Sequence, residues 1–490
     1  MRHSLLPPAC VVLVLCLFTF GCAGGGPSGL GNVSSPIVTP VTSPVTSPSS
    51  SATLSVMISD PQACKAPGGA FAHVYITVAD VKASTNPVAP ANDPSFVDLT
   101  PGLSAAPQQF DLLGQANSHC FLGSLSIAQQ VLAGNYQQIR IFLAPDTAAS
   151  SVQNNGCGAS YSNCLVLSDH SLHDLQLPPA TANGIELSST QIVNGSVTLN
   201  ADDQSNIDVD FDACSSILLT ANGGYEFNPV MHVGAIPANG GSISGTVVSS
   251  ATGQALQGGQ VVVALEQKDA KTGIDHILMR TNAGSNGTFV LCPVPQGTYD
   301  LVAVGVDGAS VSYSAGVETG IQAGQLAGQI PLVPGSAQGT LQGTITAQNI
   351  GRPPAGAQVA VQPVALQQLG ENGPTITVPV LPSQSAYDEA MLTVNRDTCP
   401  TGVDCTAFSM QLPAISPNVV ACSDQTAQFT QPSSNPGYMA ESAALIPGSG
   451  GIPSCVATSL SVTATAQGRS IVLNPDQSTT AATLAFTQCE

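Results

Sequence analysis

The sequence predicts an all-β protein made of several β-sandwich domains that follow a signal peptide and a flexible tether. Three observations carry this prediction. From about residue 51 onward, apolar and polar residues alternate in short runs broken by Pro, Gly, Asn and Asp, which is typical of half-buried strands. A short pattern recurs 98 positions later, which indicates a duplicated domain. The length of 490 residues allows roughly three domains of ordinary size.

The N-terminus has the features of a targeting segment. Residues 9–20 form an apolar run that is too short to span a bilayer as a mature helix, and Gly21 places a small residue before Cys22. This segment resembles a bacterial lipoprotein signal, in which a peptidase cleaves before a lipid-modified cysteine. The resemblance implies a signal peptide over residues 1–21 and lipidation of Cys22, so that the lipid would hold the mature chain on a membrane.

The residue after Cys22 indicates which membrane would hold the protein. Ala23 stands where an Asp commonly retains a lipoprotein in the inner membrane, so the resemblance implies an outer-membrane lipoprotein of the bacterial cell envelope. Two alternatives stay open. A secretory signal cut near residues 22–24 would give a secreted protein, and an uncleaved segment would act as an anchor.

Residues 22–51 are predicted to form the tether. Beyond Cys22 this stretch has no acidic or basic side chain, is rich in Gly, Ser, Thr and Pro, and repeats V-T-P and V-T-S-P units. Such a composition cannot bury a core, so the stretch should stay extended or flexible. At ~3.1 Å per residue it would reach up to roughly 90 Å from the membrane.

The composition excludes nucleic acid as a partner. The formal net charge is −20, and no stretch clusters Lys or Arg with aromatic residues. Only 8% of the residues are charged, against about 25% in typical soluble proteins, while 43% are apolar. The surface must therefore consist largely of uncharged polar residues, which suits a secreted or envelope protein.

Residues 52–237 are predicted to form the first folded domain, with strands over 53–58, 71–81 and 138–144. Its landmarks are S-D-P at 59–61, V-Y-I-T-V at 74–78, F-V-D-L at 96–99, F-D-L-L at 110–113, L-A-G-N-Y-Q-Q-I-R at 132–140, G-I-E-L at 184–187, I-D-V-D-F-D at 207–212 and Y-E-F-N-P-V at 225–230. Their order resembles the bacterial domain of unknown function 4382. The resemblance implies no activity, because none is assigned to that family.

The duplicated pattern predicts two further domains, over residues 238–335 and 336–490. I-S-G-T-V at 243–247 aligns with L-Q-G-T-I at 341–345. In the first copy, N-G-T-F-V-L at 286–291 and V-P-Q-G-T-Y-D-L-V-A at 294–303 resemble the carboxypeptidase regulatory-like domain. That resemblance implies a transthyretin-like β-sandwich with Greek-key connections. The second copy is predicted to be a diverged sandwich that lacks the P-x-G-x-Y turn.

The second copy also carries an insertion. Phe408 is predicted to correspond to Phe289 of the first copy, but it lies 119 residues further along rather than 98. About 21 residues are therefore inserted before Phe408.

Cysteine usage indicates an oxidising compartment. The cysteines after Cys22 are scattered rather than paired at the spacing of a zinc site, so they are predicted to form disulfides. They are Cys64, Cys120, Cys157, Cys164, Cys214, Cys292, Cys399, Cys405, Cys422, Cys455 and Cys489.

Two short loops suggest local disulfides, and the odd number of cysteines suggests a free thiol. Polar, glycine-containing loops separate Cys157 from Cys164 and Cys399 from Cys405, so each of these pairs is a disulfide candidate. The remaining pairs stay open. The odd total leaves at least one free thiol, and Cys292, in an apolar strand, is predicted to be that thiol in a buried and inert state.

Asp208, Asp210 and Asp212 form the first cluster that could carry chemistry. Their alternate spacing puts three carboxylates on one face of a strand, with Val209 and Phe211 facing inward. Oxygen clusters of this kind suit Ca²⁺, but a strand keeps such side chains about 6.6 Å apart. A solvated face is therefore the preferred interpretation, and a weak calcium site is the alternative. Otherwise no cofactor is predicted.

A second cluster comprises Asp169, His170, His173 and Asp174. On a helix the two histidines would share a face suited to a metal ion. The segment lies between proline-rich and strand-like pieces, so a solvated loop is preferred.

Sugar binding is a third possibility, because regulatory-like sandwiches are grouped with carbohydrate-binding folds. Sugar platforms need exposed aromatics, above all Trp, and the chain has no Trp and 4% aromatic residues. Tyr299 is predicted to pack in the core and Tyr313 to lie near a loop.

The sequence favours a non-enzymatic role. It has no nucleophile elbow, zinc-binding H-E-x-x-H helix or phosphate loop. We therefore expect a lipid-anchored cell-envelope protein that serves as a non-catalytic binding, adhesive or structural module. Its expected partners are the membrane and an envelope protein or glycan. The alternatives are a carbohydrate-binding accessory lipoprotein and a hydrolase with an unrecognised site.

Overall fold

In the computed structural model, β-strands follow one another from Ser51 to Phe486. The residues that the structure describes are 51–60, 71–117, 120–213, 216–219, 223–236, 241–256, 259–335, 337–347, 358–370, 373–381, 390–393, 403–422, 428–431, 437–446, 455–461 and 471–486. Strands dominate them, and the helices they contain are short 3-10 turns. The predicted all-β class is confirmed.

The first β body covers residues 51–236. Its strands are β1 Ser51–Ser59, β2 Phe71–Ser84, β3 Val97–Asp98, β4 Gln108–Asp111, β5 Gly123–Leu132, β6 Gly134–Tyr136, β7 Gln138–Leu143, β8 Cys164–Leu167, β9 Leu172–Gln176, β10 Ile185–Leu187, β11 Val197–Leu199, β12 Gln204–Phe211, β13 Ile217–Leu219, β14 Tyr225–Phe227 and β15 Met231–Ile236. Its 3-10 turns are Leu103–Ala105, Asp146–Ser151, Pro179–Asn183 and Val193–Gly195.

Two large sheets and a small β6-β11 sheet build the first β body. One has four strands in the order β15-β12-β1-β5, and β1 runs parallel to β12. The other, larger sheet centres on β2, which pairs with β7 and β8. Alternate residues of β1 and β12, such as Leu54 and Val209, meet Ile76 of β2 and Ile139 of β7 in one core. The alternation of β1 follows directly from burial of one sheet face.

The second β body covers residues 243–332. Its strands are β16 Ile243–Ser249, β17 Gln260–Lys268, β18 Ile274–Asn282, β19 Thr288–Leu291, β20 Thr298–Val306, β21 Gly316–Gln322 and β22 Leu326–Leu332. A three-stranded sheet in the order β19-β16-β22 and the strands β18-β17-β20-β21 contribute to its core.

The C-terminal repeat covers residues 338–486. Its strands are β23 Gln338–Ala347, β24 Gln358–Gln368, β25 Thr375–Val378, β26 Ala390–Thr393, β27 Asp404–Pro413, β28 Asn418–Ala421, β29 Gly437–Ile446, β30 Cys455–Ser461, β31 Ile471–Val472, β32 Ser478–Thr480 and β33 Leu484–Phe486.

The duplicated strands occupy matching places in the two copies. β16 pairs antiparallel with β19 and parallel with β22, while β23 pairs antiparallel with β27 and parallel with β32 and β33. Gly245 lies opposite Phe289 in register, and Gly343 lies opposite Phe408. A Cβ atom added at either glycine would come within 3 Å of the facing phenylalanine ring. Each glycine therefore makes room for the ring beside it.

A tyrosine also recurs, although the P-x-G-x-Y turn does not. Tyr299 of β20 donates its hydroxyl hydrogen bond to the carbonyl oxygen of Pro295 at 2.8 Å. Tyr438 of β29 donates to the carbonyl oxygen of Pro413 at 2.7 Å. Both rings are 1% exposed, and both strands pair with the corresponding strand of their copy, β17 or β24.

The second β body and the C-terminal repeat share one fifteen-stranded sheet. β18 pairs parallel with β25, and β21 pairs parallel with β28. The predicted limits at 237/238 and 335/336 stay predictions.

Candidate functional site: the acidic joint between two β bodies

The acidic joint is the contact between β12 of the first β body and β18 of the second. Val209 and Phe211 of β12 are fully buried in the first core. On the opposite face, Asp208 is 2% and Asp210 is 5% exposed. The prediction of a solvated acidic face is therefore wrong.

The cover comes from the second β body. Leu278 and Met279 of β18 line a cavity of about 10 Å³ together with Asp208 and Asp210. Alternation within a strand shows which side chains share a face, but it does not show what packs against that face.

Ser59 links the two buried carboxyl groups. It ends β1, which lies beside β12 in parallel register, with Ser59 opposite Asp210. The Oγ of Ser59 lies 2.6 Å from Oδ2 of Asp208 and 3.0 Å from Oδ1 of Asp210. The other oxygen of Asp208, Oδ1, is buried without a hydrogen-bond partner. A carboxylate in this position loses hydration that the protein does not replace.

Burial raises the pKa values of three aspartates in the acidic joint. It raises the pKa of Asp208 to about 7, against the smaller opposing effect of the Ser59 hydrogen bond. Burial, and then the charge of Asp208, raise the pKa of Asp210 well above its ordinary value. Burial also raises the pKa of the neighbouring Asp60, with further contributions from Asp212 and Asp210.

His232 adds no positive charge to the acidic joint at neutral pH. His232 lies opposite Asp210 on β15, and burial lowers its pKa to about 4 against the opposing charge of Asp212. At neutral pH this imidazole therefore carries no positive charge to offset the carboxylates.

An ion pair crosses the joint. The Nε of Arg280 on β18 donates to Oδ2 of Asp212, which follows β12, at 2.9 Å. Both side chains are mostly buried, at 19% and 13% exposed. The third predicted aspartate therefore binds a guanidinium group of the second β body.

The structure does not support a calcium site at Asp208, Asp210 and Asp212. Within the described ranges, no three His, Cys, Asp or Glu side chains are arranged to hold one metal ion. The reason is local: Asp212 pairs with Arg280, while Asp208 and Asp210 share the Ser59 hydroxyl.

A disulfide also joins the two bodies. Cys120 of the first body is bonded to Cys292 of the second, across a sequence separation of 172 residues. The prediction of a free thiol at Cys292 is therefore wrong. Its partner is distant in sequence, and the packing of the two bodies brings it close. Among the described cysteines, Cys422 is the free one.

Polar contacts also link the two bodies. The backbone N–H of Asn194 donates to Oε1 of Gln267 at 3.2 Å, and its side-chain amide donates to the carbonyl oxygen of Gln296 at 2.9 Å. Gly234 lies so close to Pro295 that an added Cβ would meet the ring at 2.6 Å. The two bodies therefore pack tightly here.

The other cysteine candidates lie in or near local loops. Cys157 and Cys164 form a disulfide with a Cα–Cα distance of 5.7 Å. Cys405 is disulfide-bonded, while Cys399 lies outside the described residues, as does Cys22. Lipidation of Cys22 therefore stays a prediction.

The histidine cluster lies on a hairpin rather than a helix. Asp169 and His170 are exposed in the turn between β8 and β9. His173, on β9, lies 2.9 Å from the hydroxyl oxygen of Ser171 and packs edge-on against Tyr225. The helical His-x-x-His face is absent from this described hairpin.

The two tyrosines considered for sugar binding are buried. Tyr299 is 1% exposed, as predicted for a core residue, and Tyr313 is 6% exposed. The hydroxyl of Tyr313 lies 3.1 Å from Oδ2 of Asp307. Within the described ranges, none of the large apolar side chains that are exposed is aromatic. These residues offer no stacking platform to a sugar ring.

Sequence reasoning missed Ser59, Asp60, His232 and Arg280, and it predicted a disulfide for Cys120 without its partner. One signal was available. Arg280 is one of only ten basic residues, and it ends an apolar run in a strand. A cation in that setting usually faces a buried anion.

No helix in the described part of the chain is long and apolar enough to cross a membrane.

One protein-family model matches the sequence of the first β body. Residues 51–229 match the family described as a domain of unknown function, DUF4382, which confirms that part of the predicted resemblance. No curated protein matches the chain.

Solved structures show only weak similarity. A leucine-rich repeat protein from Bacteroides thetaiotaomicron has 15% identity and a TM-score of 0.20, with 50% of this chain and 27% of that chain covered. A DUF3823 family protein from Bacteroides uniformis has 11% identity and a TM-score of 0.15, covering 44% and 98%. The minor pilin GBS52 from Streptococcus agalactiae has 11% identity and a TM-score of 0.15, covering 50% and 96%. TM-scores this low establish no common function.

Proposed function

We propose that this protein is a non-catalytic binding, adhesive or structural module of the bacterial cell envelope, tethered to a membrane through lipidated Cys22. The observation that carries the proposal is the Cys120–Cys292 disulfide, which joins two β bodies across 172 residues of sequence. Disulfides persist in oxidising compartments outside the cytoplasm and are rare within it.

The disulfide suits a module that must keep its shape at the end of a tether. A bond that closes a long loop restricts the unfolded chain strongly. A second disulfide, the local Cys157–Cys164 bond, likewise favours an oxidising compartment. A covalently fixed pair of bodies would remain in place while the tether of residues 22–51 gives it reach.

The acidic joint supports a non-catalytic role. Ser59, Asp208 and Asp210 bring a hydroxyl and two carboxyl groups together, which is a combination that enzymes use. Here the three side chains are at most 5% exposed, and the adjoining cavity measures about 10 Å³. A substrate needs a far larger pocket, of about 300 Å³ or more. We therefore assign these groups to the joint and not to a reaction.

Labelling with a radioactive fatty acid tests the tether. Full-length protein and Cys22→Ser are expressed in a bacterial host, with Cys16→Ser as the control because Cys16 lies in the predicted signal peptide. We expect label and membrane fractionation for the unsubstituted protein and Cys16→Ser, and loss of both for Cys22→Ser. Label retained by Cys22→Ser would contradict the lipoprotein assignment.

A thermal-shift panel of oligosaccharides tests the non-catalytic structural or adhesive role against glycan recognition. Without an exposed aromatic platform in the described ranges, we expect no shift of the unfolding midpoint with any sugar. A saturable rise of several degrees with one sugar would replace the structural role by the carbohydrate-binding alternative.

A further inference from the structure

We propose that the acidic joint is a proton-dependent latch, in which Asp208 and Asp210 hold one shared proton through the hydroxyl of Ser59 and the joint loosens when that proton leaves. The latch goes beyond the proposed envelope role and does not depend on it.

Hydrogen-bond counting gives the first argument. The Ser59 hydroxyl carries one proton, yet its oxygen lies 2.6 Å from Asp208 and 3.0 Å from Asp210. It can donate one full hydrogen bond, so the second contact is satisfied only if the other carboxyl group is protonated and donates to the serine oxygen. The geometry fits one proton shared by the pair, as in other closely placed carboxyl dyads.

The charged surroundings give the second argument. Asp60 follows β1, Asp212 follows β12, and Asp111 at the end of β4 adds to the negative field at Asp60. Arg280 faces the joint from β18, but its Nε donates to Asp212.

His232, on β15, is neutral at pH 7 because of its burial. Among the described groups that face the pair, Arg280 is the one that is cationic at neutral pH, and its Nε donates to Asp212. A second negative charge on the pair would therefore meet no dedicated counter-charge in this part of the chain.

Burial gives the third argument. Oδ1 of Asp208 has no hydrogen-bond partner, and the cavity that Asp208 lines, of about 10 Å³, has room for about one water molecule. Loss of the shared proton to solvent would leave two carboxylates in this enclosure. Separation of β12 from β18 would hydrate both of them, while Cys120–Cys292 would keep the bodies connected.

The direction of the pH effect follows from linkage. The pKa of Asp208 is raised in the folded state, to about 7 from an ordinary value of 3.8. The folded protein therefore binds the proton more tightly than the unfolded chain. The resulting stability is fully present below about pH 4 and is lost as the pH rises to about 7. Beyond burial, the charge of Asp208 raises the pKa of Asp210 further, so the last proton of the pair leaves at a higher pH than the first. The latch is therefore tightest in acid and loosens as the pH rises.

Thermal unfolding of the mature protein at about pH 5 and about pH 8 tests the latch. The variants are Asp208→Asn and Asp210→Asn, and the control is Asp202→Asn, an exposed turn residue with a φ of 64° that Asn tolerates. We expect the unfolding midpoint of the unsubstituted protein and of the control to fall by several degrees between the two pH values. Each buried-site variant should lose at least half of that fall, and Asp208→Asn should be the more stable protein at about pH 8.

A wild-type pH slope in both Asn variants would overturn the latch. If either variant fails to fold, carboxyl ¹³C NMR titration of the unsubstituted protein replaces it. We expect an Asp resonance with a midpoint near pH 7 that moves in Ser59→Ala. If no Asp resonance titrates above about pH 6, the shared proton does not exist.

Hydrogen exchange tests whether the joint itself loosens. After correction for the intrinsic pH dependence of exchange, peptides from β12 and β18 should lose protection between about pH 5 and about pH 8, while β7 in the first core keeps its protection. Equal behaviour of all three strands would show a global effect rather than a latch.

Discussion

Two joints connect the three segments of this protein, and they are built differently. At the acidic joint, side chains and a disulfide connect the first and second β bodies. At the second contact, which we call the sheet joint, β18 and β25 continue one sheet between the second body and the C-terminal repeat. Backbone pairing thus defines one joint, and side-chain chemistry defines the other.

Buried acids occur in both places but have different partners. At the sheet joint, Oε2 of Glu266 accepts a hydrogen bond from the backbone N–H of Thr377 at 3.0 Å. His276 and Glu441 form an ion pair at 2.7 Å. Burial raises the pKa of Asp275 to about 6, with a further contribution from Asp300. Glu266 and Glu441 of the sheet joint therefore have a backbone and an imidazole partner, whereas Asp208 and Asp210 of the acidic joint share one hydroxyl.

Removal of the inter-body disulfide should have the largest effect. Cys120→Ser with Cys292→Ser opens a loop of 172 residues, whereas Cys157→Ser with Cys164→Ser opens one of 7. The chain-entropy estimate is about 5 kcal/mol for the first and about 2 kcal/mol for the second. Denaturant unfolding of both double variants measures the difference. Equal losses would show that the acidic joint does not depend on its covalent link.

Breaking the ion pair across the acidic joint should lower the free energy of unfolding by less than removal of the disulfide does. Arg280→Met leaves Asp212 among other buried acids, and we expect a loss of about 3 kcal/mol in the free energy of unfolding. Lys82→Met is the matched control, because the Lys82–Asp80 pair is more exposed, and it should cost less than about 1 kcal/mol. If the two variants lose the same amount, Arg280 has no special place in the joint.

Removal of the Thr377 hydroxyl tests how much a side-chain hydrogen bond contributes to the sheet joint. The Oγ1 of Thr377 donates to the carbonyl oxygen of Asp275 at 2.8 Å, and Thr377 is 2% exposed. Thr377→Val keeps the shape and removes this hydrogen bond, with an expected loss of about 1 kcal/mol. Chemical denaturation should show the loss without a change in pH slope. A loss as large as that of Arg280→Met would mean that side chains, and not the continuous sheet, hold this joint.

The smallest effect should come from the His276–Glu441 pair. Burial lowers the pKa of His276, but the hydrogen bond and charge of Glu441 outweigh it and raise the pKa above its ordinary value of 6.5. The pair therefore adds stability below about pH 6.5 that is lost as the pH rises through the higher folded pKa.

Because His276 is 35% exposed, we expect less than about 1 kcal/mol from this pair. Glu441→Gln should remove that pH-dependent part in urea titrations at several pH values. An unchanged slope in Glu441→Gln would exclude the ion pair as its source.

The sequence predicts strands well and joints poorly. Alternation predicts β1 and β12, and the repeat pattern aligns Gly245 with Gly343 and Phe289 with Phe408, because these signals are local. The cover over Asp208 comes from Leu278, 70 residues away, and no pattern within β12 reports it.

Long insertions hide equivalence in the same way. Tyr438 takes the structural place of Tyr299, but the 24 residues between Pro413 and Tyr438 remove the P-x-G-x-Y signal. The sequence does not predict the disulfide partner of Cys292 either, because Cys120 lies in another β body.

Mass spectrometry of the protein extracted from cells under alkylating, non-reducing conditions tests the central claim that the two bodies are covalently joined in an oxidising compartment. We predict a linked peptide pair that contains Cys120 and Cys292, with Cys422 alkylated after denaturation. Alkylated, unlinked Cys120 and Cys292 would contradict the claim.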